Sequence, residues 1–173
     1  KFITSYLGPT FRKENIPAKI IFGENPLWAV YMPQLKMVSS KDFTDTILQN
    51  YPEAKDFNLI AAGHGYSLSP DIMPIKVDKE YLKTAILPFE MAEKADIPVW
   101  ITEISDVNPL DISIHDGLKW AVTFHNYLTK ANVNAIIWWG GAMPTSNNES
   151  LIILDKNRKD FLLSKRYDIF GNF

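Results

Sequence analysis

Four compact apolar runs recur along the chain at nearly equal intervals. They are rich in β-branched and aromatic residues and cover residues 18–22, 58–62, 97–101 and 133–139. Continuous apolar runs of this length are typical of strands that are covered on both faces, as in a parallel sheet. Steps of 40, 39 and 37 residues separate Ile20, Ile60, Val99 and Ile136, and a βα unit needs only about 30. The pattern therefore predicts a wound α/β fold.

Segments of helical length lie between these runs. Apolar residues recur at helical spacing over residues 41–50, 79–94 and 112–130, so strand and helix alternate. In parallel α/β folds, ligands bind at the loops that follow the carboxyl ends of the strands. We therefore expect the functional residues directly after each predicted strand. Two long loops, between Pro26 and Ser40 and between Ser67 and Asp78, are further candidates, because long loops are often functional.

Length, charge and cysteine content narrow the function classes. The chain has 173 residues, fewer than the roughly 200 to 400 of a complete eight-fold βα barrel. A net charge of -2 without a basic block argues against nucleic acid as a partner. The absence of cysteine excludes disulfides, thiolate metal sites and thiol redox chemistry. No apolar stretch approaches the roughly 20 residues of a membrane-spanning helix. Because the chain begins at Lys1, we expect a removed leader or a piece of a longer protein.

Glu103 is the first candidate for chemistry. It directly follows the apolar segment Val99-Trp100-Ile101-Thr102, and catalytic groups of βα barrels come from such strand ends. A rigid strand end can hold a carboxylate in a pocket. The alternative is a glutamate that points into solvent or pairs with a lysine.

His64 and Tyr66 follow the preceding strand, each next to a glycine in Gly63-His64-Gly65-Tyr66. Glycines let the backbone turn tightly and let a ligand approach, and a histidine or tyrosine beside a carboxylate can hold it ionised. A capped turn with a half-buried aromatic ring is an equally good interpretation. The remaining histidines, His115 and His125, fall in a predicted helix, and three scattered histidines predict no metal site. Dinucleotide and Walker motifs are also missing, so we expect no cofactor.

Aromatic residues suggest a sugar platform. Trp138 and Trp139 end the last strand, and because neighbouring residues on a strand point to opposite sides, one should face the cleft and the other the helices. Tryptophan suits the apolar face of a sugar ring. Trp28 could extend this platform, and Glu24 could accept hydrogen bonds from sugar hydroxyls. The alternative for that pair is a hydrophobic plug beside an exposed acid. Asn148-Glu149-Ser150 matches the N-glycosylation sequon, which carries little weight.

Seven segments, in order and with their spacing, resemble the later half of glycoside hydrolase family 30. They are Tyr6-Leu7-Gly8-Pro9, Ala18-Lys19-Ile20-Ile21, Ala62-Gly63-His64-Gly65-Tyr66, Val99-Trp100-Ile101-Thr102-Glu103, Asn134-Ala135-Ile136-Ile137-Trp138-Trp139, Asn148-Glu149-Ser150-Leu151-Ile152, and Ser164-Lys165-Arg166-Tyr167 with Gly171-Asn172-Phe173. The resemblance implies an α/β fold, the C-terminal half of a (β/α)8 TIM barrel. Strands five to eight would be present, and residues 1–173 would form a partial glycosidase barrel domain truncated before the family's β-sandwich.

The resemblance also implies roles for particular residues. Glu103 matches the nucleophile of a retaining mechanism, His64 and Tyr66 match the end of the sixth barrel strand, and Trp139 matches a tryptophan that stacks on the sugar, with Trp138 as its neighbour. The family's general acid lies after the fourth strand, before the point at which this sequence begins. Glu24-Asn25-Pro26 is reversed relative to the acid motif and follows the matched fifth strand, so it is a different element. Gly140-Gly141 stands where glucuronoxylanases carry basic residues, which argues against glucuronate-directed cleavage.

We therefore predict part of a secreted or periplasmic retaining glycosidase that cleaves β-linked polysaccharide, with xylan or a related hemicellulose as the expected substrate. The partner would be a poly- or oligosaccharide, completed by the missing N-terminal half of the barrel, and the 173-residue chain alone would be inactive. A β-1,6-galactanase and a β-glucosidase or glucosylceramidase remain open within this class. The alternatives are a non-catalytic carbohydrate-binding or structural half-barrel and an open flavodoxin-like domain.

Overall fold

A computed structural model describes residues 1–30, 38–68, 86–157 and 159–173. The helices are α1 (Gly8–Lys13), α2 (Ser40–Asn50), α3 (Glu90–Lys94), α4 (Ile114–Lys130) and α5 (Lys165–Gly171). The strands are β1 (Ile20–Phe22), β2 (Leu27–Val30), β3 (Leu59–His64), β4 (Tyr66–Leu68), β5 (Val99–Ile104), β6 (Ala135–Trp138), β7 (Gly140–Met143), β8 (Ser150–Asp155) and β9 (Asp160–Leu163). A π-helical segment, Ile3–Leu7, precedes α1, and a 3-10 segment, Pro52–Asp56, follows α2.

The four predicted strands form one parallel sheet in the order β1-β3-β5-β6. Strand β3 is buried from Leu59 to Gly63, as expected for a strand covered on both faces. The mixed α/β class and the parallel sheet are therefore confirmed. Among the described residues, β1 and β6 are the outer strands of this sheet.

The core lies between this sheet and helix α4. Trp120, Phe124 and Tyr127 repeat at helical spacing and are almost completely buried. The ring of Trp120 meets that of Trp138 edge-on at 4.6 Å, a favourable geometry for aromatic pairs. These contacts fix the carboxyl end of β6 against α4.

The register of the sheet shifts close to the carboxyl ends of its strands. Gly63 pairs with Ile101, but the next residue, His64, pairs with Glu103. Thr102 is thus an extra residue in β5, and Thr102 and Glu103 are both half-buried where the strand's buried-exposed alternation breaks. An extra residue of this kind bends a strand and re-aims its side chains. It brings Glu103 level with His64.

Three helices end at a residue with a left-handed backbone. Asn15, Asp96 and Asn132 follow α1, α3 and α4 with φ values of 53°, 55° and 50°. Asparagine and aspartate tolerate this conformation better than most residues. It turns the chain out of each helix toward the following segment.

Two predicted segments need correction. The helix over residues 79–94 is wrong for residues 86–89, because helix α3 begins only at Glu90; residues 79–85 lie outside the described part. Pro88 provides the physical reason, since proline disfavours helical backbone at the residue before it and lacks an N–H. Of the two long loops, residues 31–37 and 69–78 also lie outside the described part. At the start of each predicted loop, Leu27–Val30 and Leu68 belong instead to the parallel strands β2 and β4.

The sequence predicted no elements beyond residue 144, yet the chain there is ordered into strands and a helix. Strand β8 pairs in parallel with β7 and antiparallel with β9. Helix α5 then packs against α4, where Gly117 lies under Lys165 and Ile169. This three-stranded sheet matters for the site, because it places the residues before β8 next to the end of β5. No helix in the described ranges has the length and apolar content to cross a membrane.

Candidate active site

Glu103 and His64 lie side by side at the carboxyl ends of β5 and β3. The Nδ1 atom of His64 is 3.4 Å from Glu103 Oε1. Each side chain is about one-fifth exposed, at 21% for His64 and 22% for Glu103. A carboxylate in this setting is sheltered yet open to a ligand. The imidazole lies close enough to the carboxylate to limit its orientation.

Glu24 stands on the other side of His64. Its Oε2 atom is 4.0 Å from His64 Nε2, and its Oε1 accepts a hydrogen bond from the hydroxyl of Thr102. With 45% of its side chain exposed, Glu24 is more open to solvent than Glu103. His64 therefore lies between two carboxylates. Glu24 retains exposed surface with which it could accept hydrogen bonds from sugar hydroxyls.

Tyr66 completes this side of the site. Its ring meets that of His64 edge-on, with centroids 6.0 Å apart, and its hydroxyl lies 3.1 Å from Ser105 Oγ. The turn between the two aromatic residues depends on Gly65. The N–H of Gly65 donates to the carbonyl of Glu103 at 2.7 Å, and its own carbonyl accepts from Tyr127.

The two glycines around His64 are required by close packing rather than by unusual dihedral angles. A Cβ atom on Gly63 would lie 2.2 Å from Ser40 Oγ, and one on Gly65 would lie 2.6 Å from Ile104 Cδ1. Side chains at these positions would collide with buried neighbours. The glycines thus keep the end of β3 pressed against β5 and α2.

A groove of about 250 Å³ runs past Glu103 and Tyr66. Its lining residues are Tyr66, Glu103, Ser105, Asp106, Val107, Trp139 and Glu149. Trp139 is 55% exposed, although its backbone N–H is anchored to the carbonyl of Ile104 at 3.0 Å. The groove thus combines a carboxylate, hydroxyl groups and an exposed indole ring, the set of groups expected for a sugar.

Trp138 and Trp139 point to opposite sides, as strand geometry requires. Trp139 lines the groove, whereas Trp138 is 6% exposed and packs in the aromatic core. The Nε1–H of Trp138 donates to the carbonyl of Glu149 at 2.8 Å. Of the two candidates for the sugar platform, Trp139 therefore faces the groove, and Trp138 is corrected to a core residue.

Trp28 also lies away from the groove, which corrects its assignment as a substrate platform. It is completely buried, its Nε1–H donates to the carbonyl of Leu87, and its ring packs 4.3 Å from Phe89 and 5.3 Å from Tyr127. Its place in strand β2, rather than in a loop, explains this burial. The alternative interpretation, a hydrophobic plug beside an exposed acid, describes Trp28 and Glu24 better.

A buried ionic network supports the groove from below, and sequence reasoning missed it. Lys119 Nζ lies 2.7 Å from both Asp106 and Asp116. Arg166, fully buried, contacts Asp116 Oδ2 at 2.5 Å, and its second nitrogen donates to the carbonyl of Ser150 at 3.0 Å. The network therefore ties the loop after β5 to helices α4 and α5 and to the start of β8.

Asp111 and Asn148 extend this network toward the surface. Asn148 Oδ1 accepts from both Arg166 Nη1 and the backbone N–H of Asp111. The side chain of Ser113, together with its backbone N–H, holds the pKa of the Asp111 carboxyl below its ordinary value. Glu149 follows Asn148, and no pattern in the sequence distinguished it as a groove residue.

We also searched the described residues for side chains that could together bind a metal ion. Within the described ranges, no group of three or more histidine, aspartate or glutamate side chains is placed to hold a metal ion. His115 and His125 lie on helix α4, as expected, and outside the groove.

Comparison with solved structures places this geometry in a known fold. The chain superposes on the catalytic domain of glycoside hydrolase family 30 xylanase C from Talaromyces cellulolyticus with a TM-score of 0.62 and 15% identity, over 95% of this chain and 32% of that one. It superposes on the family 30 subfamily 8 xylanase Xyn30A from Clostridium acetobutylicum with a TM-score of 0.62 and 21% identity, over 99% and 34%. The chain has the fold of part of a family 30 catalytic domain.

The family resemblance seen in the sequence is thus confirmed at the level of the fold. The chain spans about a third of the length of these two structures. No protein-family model and no curated protein matches the sequence.

Proposed function

We propose that this chain supplies the nucleophile side of the active site of a retaining glycoside hydrolase that cleaves β-linked polysaccharide. Xylan or a related hemicellulose would be the substrate. The observation that carries the proposal is the position of Glu103, a sheltered carboxylate beside His64 in a groove with the exposed ring of Trp139. Both structural neighbours are xylanases, which supports the choice of substrate.

In the proposed reaction, a Glu103 oxygen attacks the anomeric carbon of a sugar bound beside Trp139. The bond from that carbon to the leaving oxygen breaks, and the leaving oxygen takes a proton from a second carboxylic acid. Water then attacks the glycosyl-enzyme and gives its proton back to that second group, which releases Glu103 and a sugar of retained configuration. His64, whose Nδ1 lies 3.4 Å from Glu103 Oε1, would hold the carboxylate in position for this attack.

The second carboxyl group would come from the remainder of the parent protein. In retaining enzymes the two groups lie about 5 Å apart, and in the proposed arrangement the acid follows the fourth strand of a (β/α)8 barrel. Strands β1, β3, β5 and β6 would be barrel strands five to eight, with residues 1–173 as a partial barrel domain. The parallel order of these strands and the family 30 fold support this assignment. The parent protein would be secreted or periplasmic, where polysaccharide is accessible.

The decisive experiment compares Glu103→Gln with wild type in the full-length parent protein. Hydrolysis of xylan, β-1,6-galactan and aryl β-glucosides is measured, and Glu53→Gln, an exposed change remote from the groove, is the control. Loss of a covalent nucleophile should lower kcat by about 10³-fold or more. The 173-residue chain alone should show no turnover, because leaving-group protonation is worth roughly 10²- to 10⁴-fold.

Azide rescue identifies the role of Glu103 more sharply. In Glu103→Ala, azide can occupy the vacated space and attack an activated β-glycoside, which gives an α-glycosyl azide. Rescue with this product would support the nucleophile assignment. Full activity in Glu103→Gln would refute it.

A non-catalytic carbohydrate-binding or structural role is the second candidate, and the 55% exposure of Trp139 favours it as much as it favours catalysis. The same variants separate the two. A binding protein would keep its affinity for xylo-oligosaccharides after Glu103→Gln, with no turnover to lose in the wild type.

A further inference from the structure

Glu149 is the second carboxylate with exposed surface that lines the groove around Glu103 and Trp139. It lies just before strand β8, far from Glu103 in the sequence. Its neighbours on both sides, Asn148 and Ser150, are buried, at 2% and 0% exposure. Glu149 is therefore a half-buried groove residue on a backbone that is fixed from both sides.

The contacts of Glu149 hold its carboxylate and backbone in one arrangement. Its Oε2 accepts from Asn147 Nδ2 at 2.9 Å, and its N–H donates to Asn147 Oδ1 at 3.1 Å. Its carbonyl accepts from the indole N–H of Trp138, the residue next to Trp139. A glutamate on an open surface would sample many rotamers, whereas this one is held in place before any ligand arrives.

The charges around the groove are unbalanced. Its lining residues that carry a carboxyl group are Glu103, Asp106 and Glu149. Asp106 is neutralised by Lys119 at 2.7 Å, and Glu103 faces His64. Within the described residues, no lysine, arginine or histidine lies within ion-pair distance of Glu149, and no lysine or arginine lines the groove. Glu149 thus adds a fixed negative charge to the site.

A fixed carboxylate suits one kind of ligand and opposes another. A carboxylate oxygen offers about two acceptor positions, and the contact with Asn147 uses one of them on Oε2. A sugar hydroxyl can donate to the others in a charge-assisted hydrogen bond. A sugar that carries its own carboxylate would instead bring two like charges together in a partly sheltered groove.

We propose that Glu149 is a positioning and specificity residue that accepts a hydrogen bond from a hydroxyl of the sugar stacked on Trp139 and selects neutral sugars over uronic acids at that position. This inference rests on the proposed function, because it assumes that the groove binds glycan. It assigns a role in sugar binding to Glu149, which precedes strand β8, whereas Glu103 is assigned a role in the chemical step.

The test measures dissociation constants of the full-length parent protein for two ligands, a neutral xylo-oligosaccharide and the same oligosaccharide bearing one glucuronic acid. Glu149→Gln preserves shape but removes the charge. We expect it to weaken binding of the neutral ligand about 10-fold and to reduce the preference for neutral over acidic ligand by at least about 10-fold, as the loss of a charge-assisted hydrogen bond implies. Glu149→Gln should change KM much more than kcat.

Asn147→Ala is the matched variant, since it frees the carboxylate without removing its charge. It should weaken binding of the neutral ligand and leave the discrimination against the acidic one. A merely structural role for Glu149 would instead lower the melting temperature and weaken both ligands equally. That result, or a neutral-to-acidic ratio that stays within twofold in Glu149→Gln, overturns the inference.

The experiments on Glu149 and Glu103 can give different results, so the inference and the proposed function can fail separately. Loss of turnover in Glu103→Gln with an unchanged ligand preference in Glu149→Gln would support the proposed function and overturn this inference. If the wild type binds neither oligosaccharide, this inference fails, whatever the turnover of Glu103→Gln.

Discussion

Arg166 offers a quantitative test of how the groove is supported. The side chain is fully buried and makes four hydrogen bonds, to Asp116, to Asn148 and to the carbonyl groups of Asp111 and Ser150. Its Nε atom is buried without a hydrogen-bond partner, so part of the possible gain is forfeited. Replacing Arg166 by methionine removes one partner of a buried ion pair, which typically costs about 3 to 5 kcal/mol.

The structure favours the lower end of that range. Asp116 keeps its contact with Lys119 at 2.7 Å, and Asn148 Oδ1 keeps the N–H of Asp111 at 2.8 Å. The Asp116 carboxylate therefore keeps an ion-pair partner in the variant. We expect a loss of about 3 kcal/mol in the free energy of unfolding. For a chain of this size, this corresponds to a decrease of about 6 to 12 °C in the melting temperature.

Urea denaturation followed by circular dichroism measures this loss in Arg166→Met. The neighbouring change Lys165→Met is the control, because Lys165 is 53% exposed and pairs with an exposed Asp168; its effect should stay within about 0.5 kcal/mol. Arg166→Lys should recover less than half of the loss, since an ammonium group cannot reproduce the guanidinium fork. A loss below about 1 kcal/mol in Arg166→Met, with an unchanged m-value, would refute the reasoning.

Two further predictions pair each substitution with a control at a residue of the same type. Trp138→Ala should lower the free energy of unfolding by about 3 to 5 kcal/mol, because it leaves a cavity in the core. Trp139→Ala should change that free energy by no more than about 1 kcal/mol and weaken xylo-oligosaccharide binding about 10-fold. Equal effects of the two variants on stability would contradict the assigned orientations. Gly65→Ala should cost about 1 to 3 kcal/mol, because its Cβ would lie 2.6 Å from Ile104. Gly141→Ala, which meets nothing within 4 Å, is its control, and the two should differ clearly in urea midpoint.

The sheet could be predicted from the sequence because its strands are compact apolar runs; β3 is buried along nearly its whole length, whereas Ile21 of β1 and Ile137 of β6 are exposed. Their apolar runs are short and rich in β-branched and aromatic residues, and the helices predicted over residues 41–50 and 112–130 alternate with them at regular spacing. Strands β2, β4, β7, β8 and β9 could not be found in this way. They are short, and their pairing partners are set by tertiary contacts rather than by a local pattern.

The site could be predicted only in part, because some of its residues are also placed by tertiary contacts. The end of an apolar run identifies Glu103 and His64 as residues at the rim of the sheet. Alternation along β6 shows that Trp138 and Trp139 face opposite ways, but not which of them is outside. Burial of Trp28 depends on the pairing of β2 with β4, and the position of Glu149 depends on the fold of a segment for which no elements were predicted.

The extra residue at Thr102 separates the buried part of strands β3 and β5 from the part that carries the site. Below it, the pairs from Ala61–Val99 to Gly63–Ile101 remain in regular register, so the buried layers do not depend on what stands above. Above it, the backbone at the rim is held by hydrogen bonds such as that from the N–H of Gly65 to the carbonyl of Glu103. Rim side chains that line the groove, such as Glu103 and Trp139, can consequently be exchanged with little effect on the interior, unlike the closely packed Gly63 and Gly65. A lineage built on this sheet could change the sugar it recognises without having to refold its core.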